Sequence, residues 1–156
     1  PKQQMTERML MAVASPHVDI LGHCTGRMIG KRPPSEFDAD YVFAACAQFG
    51  TAVEINCRPE RLDPPRELLD VAIEYGCWFS IDTDAHATGQ LEWQPLGCDR
   101  AAERVPVGDA ANTHILLDLS DMQQIIRTVE TLRPMLGGAK LQLHGFRPRA
   151  DDADQP

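Results

Sequence analysis

No part of this chain approaches the roughly 18 to 20 consecutive apolar residues that a membrane-spanning helix needs, so no membrane partner is expected. Its start, Pro1-Lys2-Gln3-Gln4-Met5, lacks the apolar region of an export signal, and the expected location is cytoplasmic. There is no Cys-x-x-Cys pair. The five cysteines, Cys24, Cys46, Cys57, Cys77 and Cys98, are odd in number and scattered, which argues against a disulfide framework and for reduced thiols. Positive charge is also scarce: 15 Lys and Arg against 23 Asp and Glu give a formal net charge of −8. That balance disfavours a surface that holds nucleic acid by long-range attraction, although it allows a local basic mouth around a site. Internal repeats and low-complexity tracts are absent.

What remains is an ordinary globular composition. The 156 residues are 43% hydrophobic and 24% charged, enough for one domain with a real core. Met5, Met9, Leu10 and Val13 share a face at helical spacing, and the helix should end before Pro16, because the residue before a proline avoids helical geometry. Residues 18–22 read as a short buried strand, followed by a loop from His23 to Pro34. Ser35-Glu36-Phe37-Asp38 is a capping-box variant predicting a second helix, with Phe37, Tyr41, Ala44, Ala45 and Gln48 as its periodic face and Gly50 as its stop. Thr51–Asn56 is the next strand. Asp63-Pro64-Pro65 predicts a capped third helix with Leu68, Leu69, Ala72 and Ile73 inward and Gly76 at its end. Residues 77–81 form a third strand, and a helix follows around 88–103.

Strands alternating with helices at this spacing predict an α/β fold with a parallel sheet. Ile115, Leu116 and Leu117 add a candidate strand, and Ser120-Asp121-Met122-Gln123 caps an amphipathic helix that stops at Gly137-Gly138. The predicted organisation is a main unit over 1–118, a C-terminal helix over 119–138 and a disordered tail over 139–156.

The residues that carry chemistry sit where such folds place it, after the strands. Asp84 and His86 are two apart at the end of the third strand and leave it on one side. A carboxylate with an imidazole suits a divalent transition metal better than magnesium or calcium, which prefer all-oxygen sites. His23, after the first strand, is the same kind of residue in the same kind of place. Each alone reads better as a loop residue satisfied locally, and the conjunction carries the signal. Glu54 and Asn56 share one face of the second strand. Glu54 needs a partner if buried and could order a ligand histidine, and Asn56 could line the site. Arg27, Lys31 and Arg32 in the first loop, with Arg58 and Arg61 in the second, should rim one mouth. Arg27 and Arg61 are the candidates for a substrate phosphate, whose geometry a guanidinium fork matches. His17 is assigned to structure, Trp78 and the methionines to the core, Trp93 to a loop anchor, and Cys24 and Cys57 to small neutral fillers.

Several runs, in order and with matching spacing, resemble the PHP (polymerase and histidinol phosphatase) family. They are Pro16-His17-Val18-Asp19-Ile20-Leu21-Gly22-His23 with Thr25-Gly26-Arg27, Glu54-Ile55-Asn56 with Arg58-Pro59-Glu60-Arg61-Leu62-Asp63, and Thr83-Asp84-Ala85-His86. The nearest resemblance is to the PHP domains of bacterial family-X DNA polymerases and their free-standing homologues. It implies the C-terminal part of a distorted (β/α)7 TIM-like barrel, here a half-barrel, with a metal cluster at its carboxyl end and phosphoester hydrolysis of phosphatase or nuclease type. His23, Asp84 and His86 match family metal ligands, the ions being zinc, manganese or iron. The family's His-x-His motif and its middle ligands have no counterpart, so the expectation is a partial domain whose missing strands come from a second copy or a partner chain. The substrate is expected to be a phosphate ester, either a small molecule or a nucleic-acid end. The alternatives are a non-catalytic interaction module that keeps the half-fold and a metal hydrolase of amidohydrolase type.

Overall fold

The computed structural model describes residues 1–104 and the strand at 115–117. The expected helix at 119–138 and tail at 139–156 lie outside the described residues. Helix α1 (Lys2–Val13) leads into strand β1 (Ile20–Leu21), α2 (Ala39–Phe49), β2 (Ala52–Asn56), α3 (Arg66–Glu74) and β3 (Phe79–Asp82). A 3₁₀ turn (Thr88–Trp93), α4 (Gln94–Arg104) and β4 (Ile115–Leu117) follow. The four strands are parallel and lie in sequence order, β1-β2-β3-β4. Every strand-end loop between neighbours therefore emerges on the same edge, as parallel pairing requires.

The first helix is as expected: Met9 and Val13 are buried and Met5 and Leu10 pack against the core. The second helix starts later than the capping box suggests. Asp38, not Ser35, is the N-cap and accepts the Tyr41 N–H at 3.5 Å. This rotates the inner face to Val42, Phe43, Ala45 and Cys46 and leaves Tyr41 68% exposed. Gly50 ends the helix at φ 72°, a left-handed conformation that costs glycine little. Helix α3 begins at Arg66 without a side-chain cap, because Asp63 is engaged elsewhere. Leu69 and Ala72 are its buried residues, with Leu68 and Ile73 half in contact with the core.

Two single-residue expectations fail. Trp78, just before β3, is 42% exposed, and Met11, on the outer side of α1, is 69% exposed. The thiols behave as expected: all five are free and buried. Burial pushes Cys46 up to about 12, and Cys77 and Cys98 up to about 11, so these groups stay neutral.

Strand β2 is buried along its whole length. Its register with β3 sets Glu54 opposite Ser80 and Asn56 opposite Asp82. Because side chains alternate, these four polar residues share one sheet face. The opposite face carries Val53, Ile55, Phe79 and Ile81, all in the hydrophobic cluster. Against it α4 approaches closely enough that a Cβ on Gly97 would lie 2.3 Å from Cys57 Sγ and 2.7 Å from Ile81 Cγ2. No helix of the described residues is long and apolar enough to cross a membrane.

Candidate functional site

The three loops that follow β1, β2 and β3 are tied together by their own backbones and by buried side chains. Glu54 begins the first tie. Its carboxylate accepts the His23 backbone N–H through Oε2 and the Asn56 side-chain amide through Oε1, the latter at 3.2 Å. Asn56, fully buried, accepts the Arg58 N–H at 3.0 Å. One polar chain thus runs from the loop after β1, through the β2 face, to the loop after β2. Burial pushes the Glu54 carboxyl up to about 7, with nearby Asp82 and Asp84 raising it further and the His23 and Asn56 hydrogen bonds pulling it down. Glu54 thus has the partners that burial demands.

A second tie binds the same two loops. Asp63 is fully buried and accepts the Thr25 N–H at 3.1 Å and the Thr25 hydroxyl at 2.9 Å. Arg27 donates Nε to the Arg61 carbonyl at 2.7 Å and Nη2 to the Leu62 carbonyl. Arg61 returns Nη1 to the Arg27 carbonyl at 3.3 Å, and the Ile29 N–H reaches the Glu60 carbonyl at 2.6 Å. Asp63, expected as a helix cap, is instead a buried latch on Thr25, a residue that no local sequence signal links to it. A carboxylate followed by proline signals a cap as strongly as it signals a buried latch, so only packing distinguishes the two.

The third loop joins through Asp84. Arg61 Nε bonds Asp84 Oδ2 at 3.0 Å, and Arg58 Nη1 lies 3.7 Å from the same oxygen. Both ends of the Arg61 pair are sheltered, at 14% and 16% side-chain exposure. Arg58 also pairs with Glu60 at 3.1 Å and stacks over Trp93 at 5.7 Å, so Trp93 does anchor a loop. His86, 70% exposed, places Nδ1 2.8 Å from the Asp84 carbonyl and 4.0 Å from its Oδ1.

His23 and Asp84 both adopt positive φ, 25° and 54°, as does Leu62 at 44°. Non-glycine residues seldom do so, and such conformations cluster at functional sites because surrounding contacts must hold them. Here the holding contacts are the Glu54 bond to His23 and the Arg61 bond to Asp84.

Of the expected site residues, the structure brings Asp84 and His86 together, joins Arg61 to Asp84, and joins Glu54 and Asn56 to each other and to His23. His23 sits on the same rim, at the end of β1. Among the described residues no three His, Cys, Asp or Glu side chains are gathered to hold a metal. The donors are of the right kind for a transition ion, nitrogen beside carboxylate oxygen, and they fit as a two-residue contribution rather than as a complete cage. Arg27 commits two of its donors to loop carbonyls, which makes it a brace between the loops. Arg58, expected only on the rim of the mouth, is drawn in beside Asp84 and Trp93. Its neighbours Asp84 and Trp93 are distant in sequence, so no local pattern reveals its place.

No family model matches the chain. Over 101 residues, 65% of its length, it is 38% identical to the DNA polymerase/3'-5' exonuclease PolX of Bacillus subtilis (strain 168). The matched stretch spans only 18% of that protein's own length. This similarity supports a PHP-related origin for the chain, in agreement with the motifs around His23, Asn56 and Asp84.

Proposed function

We propose that this chain is part of a metal-dependent phosphoesterase of PHP type and nuclease class, and that its sheet is a segment of a larger (β/α) barrel. The observation that carries the reading is the convergence on Asp84: Arg61 at 3.0 Å, Arg58 at 3.7 Å and His86 at 4.0 Å, from the loops after β2 and β3. The likeness to a polymerase/exonuclease favours a nucleic-acid phosphodiester over a small phosphate. The sheet face bearing Glu54, Asn56, Ser80 and Asp82 would form part of the barrel interior.

Asp84 and His86 would help hold divalent ions of zinc, manganese or iron, with His23 on the same rim as a further candidate ligand and the remaining ligands supplied by other strands. A bound ion lowers the pKa of water and offsets charge on phosphoryl oxygens. The chain's own residues do the rest. Arg61 and Arg58 present guanidinium groups beside the carboxylate, where one can turn to a phosphate oxygen when substrate arrives. Arg27 holds the two loops in register so that Arg61 keeps its position. Glu54 and Asn56 fix the His23 backbone and the Arg58 backbone from beneath.

One observation favours a second reading, the interaction module. Among the described residues β1 is an edge strand with Ile20 40% exposed, and unpaired backbone groups at a sheet edge can pair with another chain. The two readings part on metal uptake. The purified chain is titrated with zinc, manganese and iron(II), uptake is measured by mass spectrometry, and hydrolysis is followed on an end-labelled oligonucleotide. The phosphoesterase reading expects uptake by the wild type and its loss in Asp84→Ala and His86→Ala. Wild-type protein that takes up none of the three ions and matches Asp84→Ala in every assay would establish the interaction module instead. Cleavage of an amide but not of a phosphate ester would point to an amidohydrolase.

A further inference from the structure

The loop after β1 contains a small preformed hairpin. Met28 and Arg32 pair as an antiparallel bridge, with Met28 N–H to the Arg32 carbonyl at 2.9 Å and Arg32 N–H to the Met28 carbonyl at 2.8 Å. Gly30, at φ 75°, makes the turn, and Lys31 N–H closes it on the Met28 carbonyl at 2.9 Å. Ile29 stands at the tip and is 53% exposed, although its own N–H is anchored to the Glu60 carbonyl. An apolar tip on a rigid, hydrogen-bonded turn is not explained by core packing.

The flanks of the hairpin are basic. Residues 22–34 contain Arg27, Lys31 and Arg32 and no carboxylate, in a chain of net charge −8. Lys31 and Arg32 are exposed, and Arg32 Nε bonds the Gly26 carbonyl at 2.7 Å, which fixes that side chain along the loop. Glu60, whose backbone carbonyl anchors Ile29, is the nearby carboxylate: Arg58 pairs with it at 3.1 Å and the Lys31 charge also acts on it. A shallow cavity of about 430 Å³ runs along the hairpin, lined by Arg27, Met28, Lys31, Arg32 and Pro34. Through Arg27 and Arg61 the hairpin connects directly to Asp84.

We infer that this hairpin engages a single-stranded nucleic-acid end beside the candidate site. Ile29 packs on an unstacked base, and Lys31 and Arg32 hold the flanking phosphates. Basic side chains that track the backbone are a recurring component of single-strand binding, and aliphatic side chains such as isoleucine are set against unstacked bases by proteins that open base steps. The inference deepens the nuclease reading and rests on it for its placement next to Asp84, yet it concerns binding alone.

The test is therefore run with chelator present, so that failure of metal chemistry leaves it unaffected. Fluorescence anisotropy of a labelled single-stranded oligonucleotide is measured against the wild-type chain over a series of salt concentrations. Lys31→Ala should weaken binding and lower the salt slope by about 0.7, the loss of one phosphate contact on a single strand. Ile29→Ser should weaken binding by about tenfold, as expected for an apolar side chain that loses its burial. That loss should disappear when the oligonucleotide is abasic. Arg8→Ala, an exposed cation on α1, should leave binding unchanged. Both hairpin residues are exposed, so circular dichroism should show the variants folded. The inference is overturned if the wild type does not bind the strand, if Lys31→Ala and Arg8→Ala behave alike, if Ile29→Ser has no effect on the base-containing strand, or if inorganic phosphate competes as well as the oligonucleotide.

Discussion

Asp63 accepts both the backbone N–H and the hydroxyl of Thr25, a residue 38 positions away, from a site with no solvent exposure. Removing the carboxylate would leave buried donors unpaired, which costs more than the bond itself contributes. Asp63→Ala should destabilise the chain by about 2 to 4 kcal/mol, and Thr25→Val by about 1 to 2 kcal/mol. The double variant should fall well short of the sum, because the two residues share one interaction. Urea denaturation of the four proteins checks this.

Arg61 holds Asp84 through Nε and the Arg27 carbonyl through Nη1. A lysine supplies one point charge and not a fork, so Arg61→Lys should behave more like Arg61→Ala than like the wild type. Both should lose about 1 to 2 kcal/mol of stability, since the pair is sheltered from solvent. Both should also lower oligonucleotide cleavage, by about tenfold or more if Arg61 steadies a phosphate. A lysine variant with wild-type cleavage would assign Arg61 to loop structure alone.

Helix propensity favours alanine over glycine by about 1 kcal/mol, so Gly97→Ala in α4 should help if nothing else intervened. A Cβ there would sit 2.3 Å from Cys57 Sγ and 2.7 Å from Ile81 Cγ2, in the buried seam between α4 and the sheet. Overpacking of this kind typically costs about 1 to 3 kcal/mol, and the expected outcome is net destabilisation. Adding Cys57→Ala should recover part of the loss, which a thermal-melt cycle of the two variants would measure.

The buried thiols imply a pH dependence in alkali. Burial raises Cys98 to about 11, so the folded chain holds that proton more tightly than the unfolded chain does. The associated stability is fully present below the ordinary thiol value of 9.0 and is lost as the pH rises towards 11. For a two-unit shift the loss is on the order of 2 to 3 kcal/mol. Cys98→Ala should flatten the decline of stability between these pH values relative to the wild type, with little change in the slope at neutral pH. A slope equal to that of the wild type would mean that Cys98 titrates as freely when folded as when unfolded.

Much of the frame is legible in the sequence. Short apolar runs punctuated by Gly50 and Gly76 mark β2 and β3, because backbone conformation at a helix end is a local property. The shared rim of His23, Asn56 and Asp84 also followed, since parallel strands of one sheet must send their loops the same way. The inner face of α2 differs from the expected one, because several registers of Ala, Tyr and Phe satisfy the same period and only the Asp38 cap selects one. The roles of Asp63, Arg27 and Arg58 escaped for a different reason: each is defined by a partner more than 20 residues away.

The order of elements, the placement of His23, Asp84 and His86 at strand ends, and the basic character of the first loop were determined by the sequence alone, because each depends on periodicity or local chemistry. Tertiary structure decided which charges meet. It set Arg61 and Arg58 on Asp84, turned Arg27 inward as a brace, and raised Ile29 on a fixed turn. Those outcomes depend on how two loops pack against each other, and a guanidinium that finds a carbonyl at the right distance gives no sign of it in its neighbours along the chain.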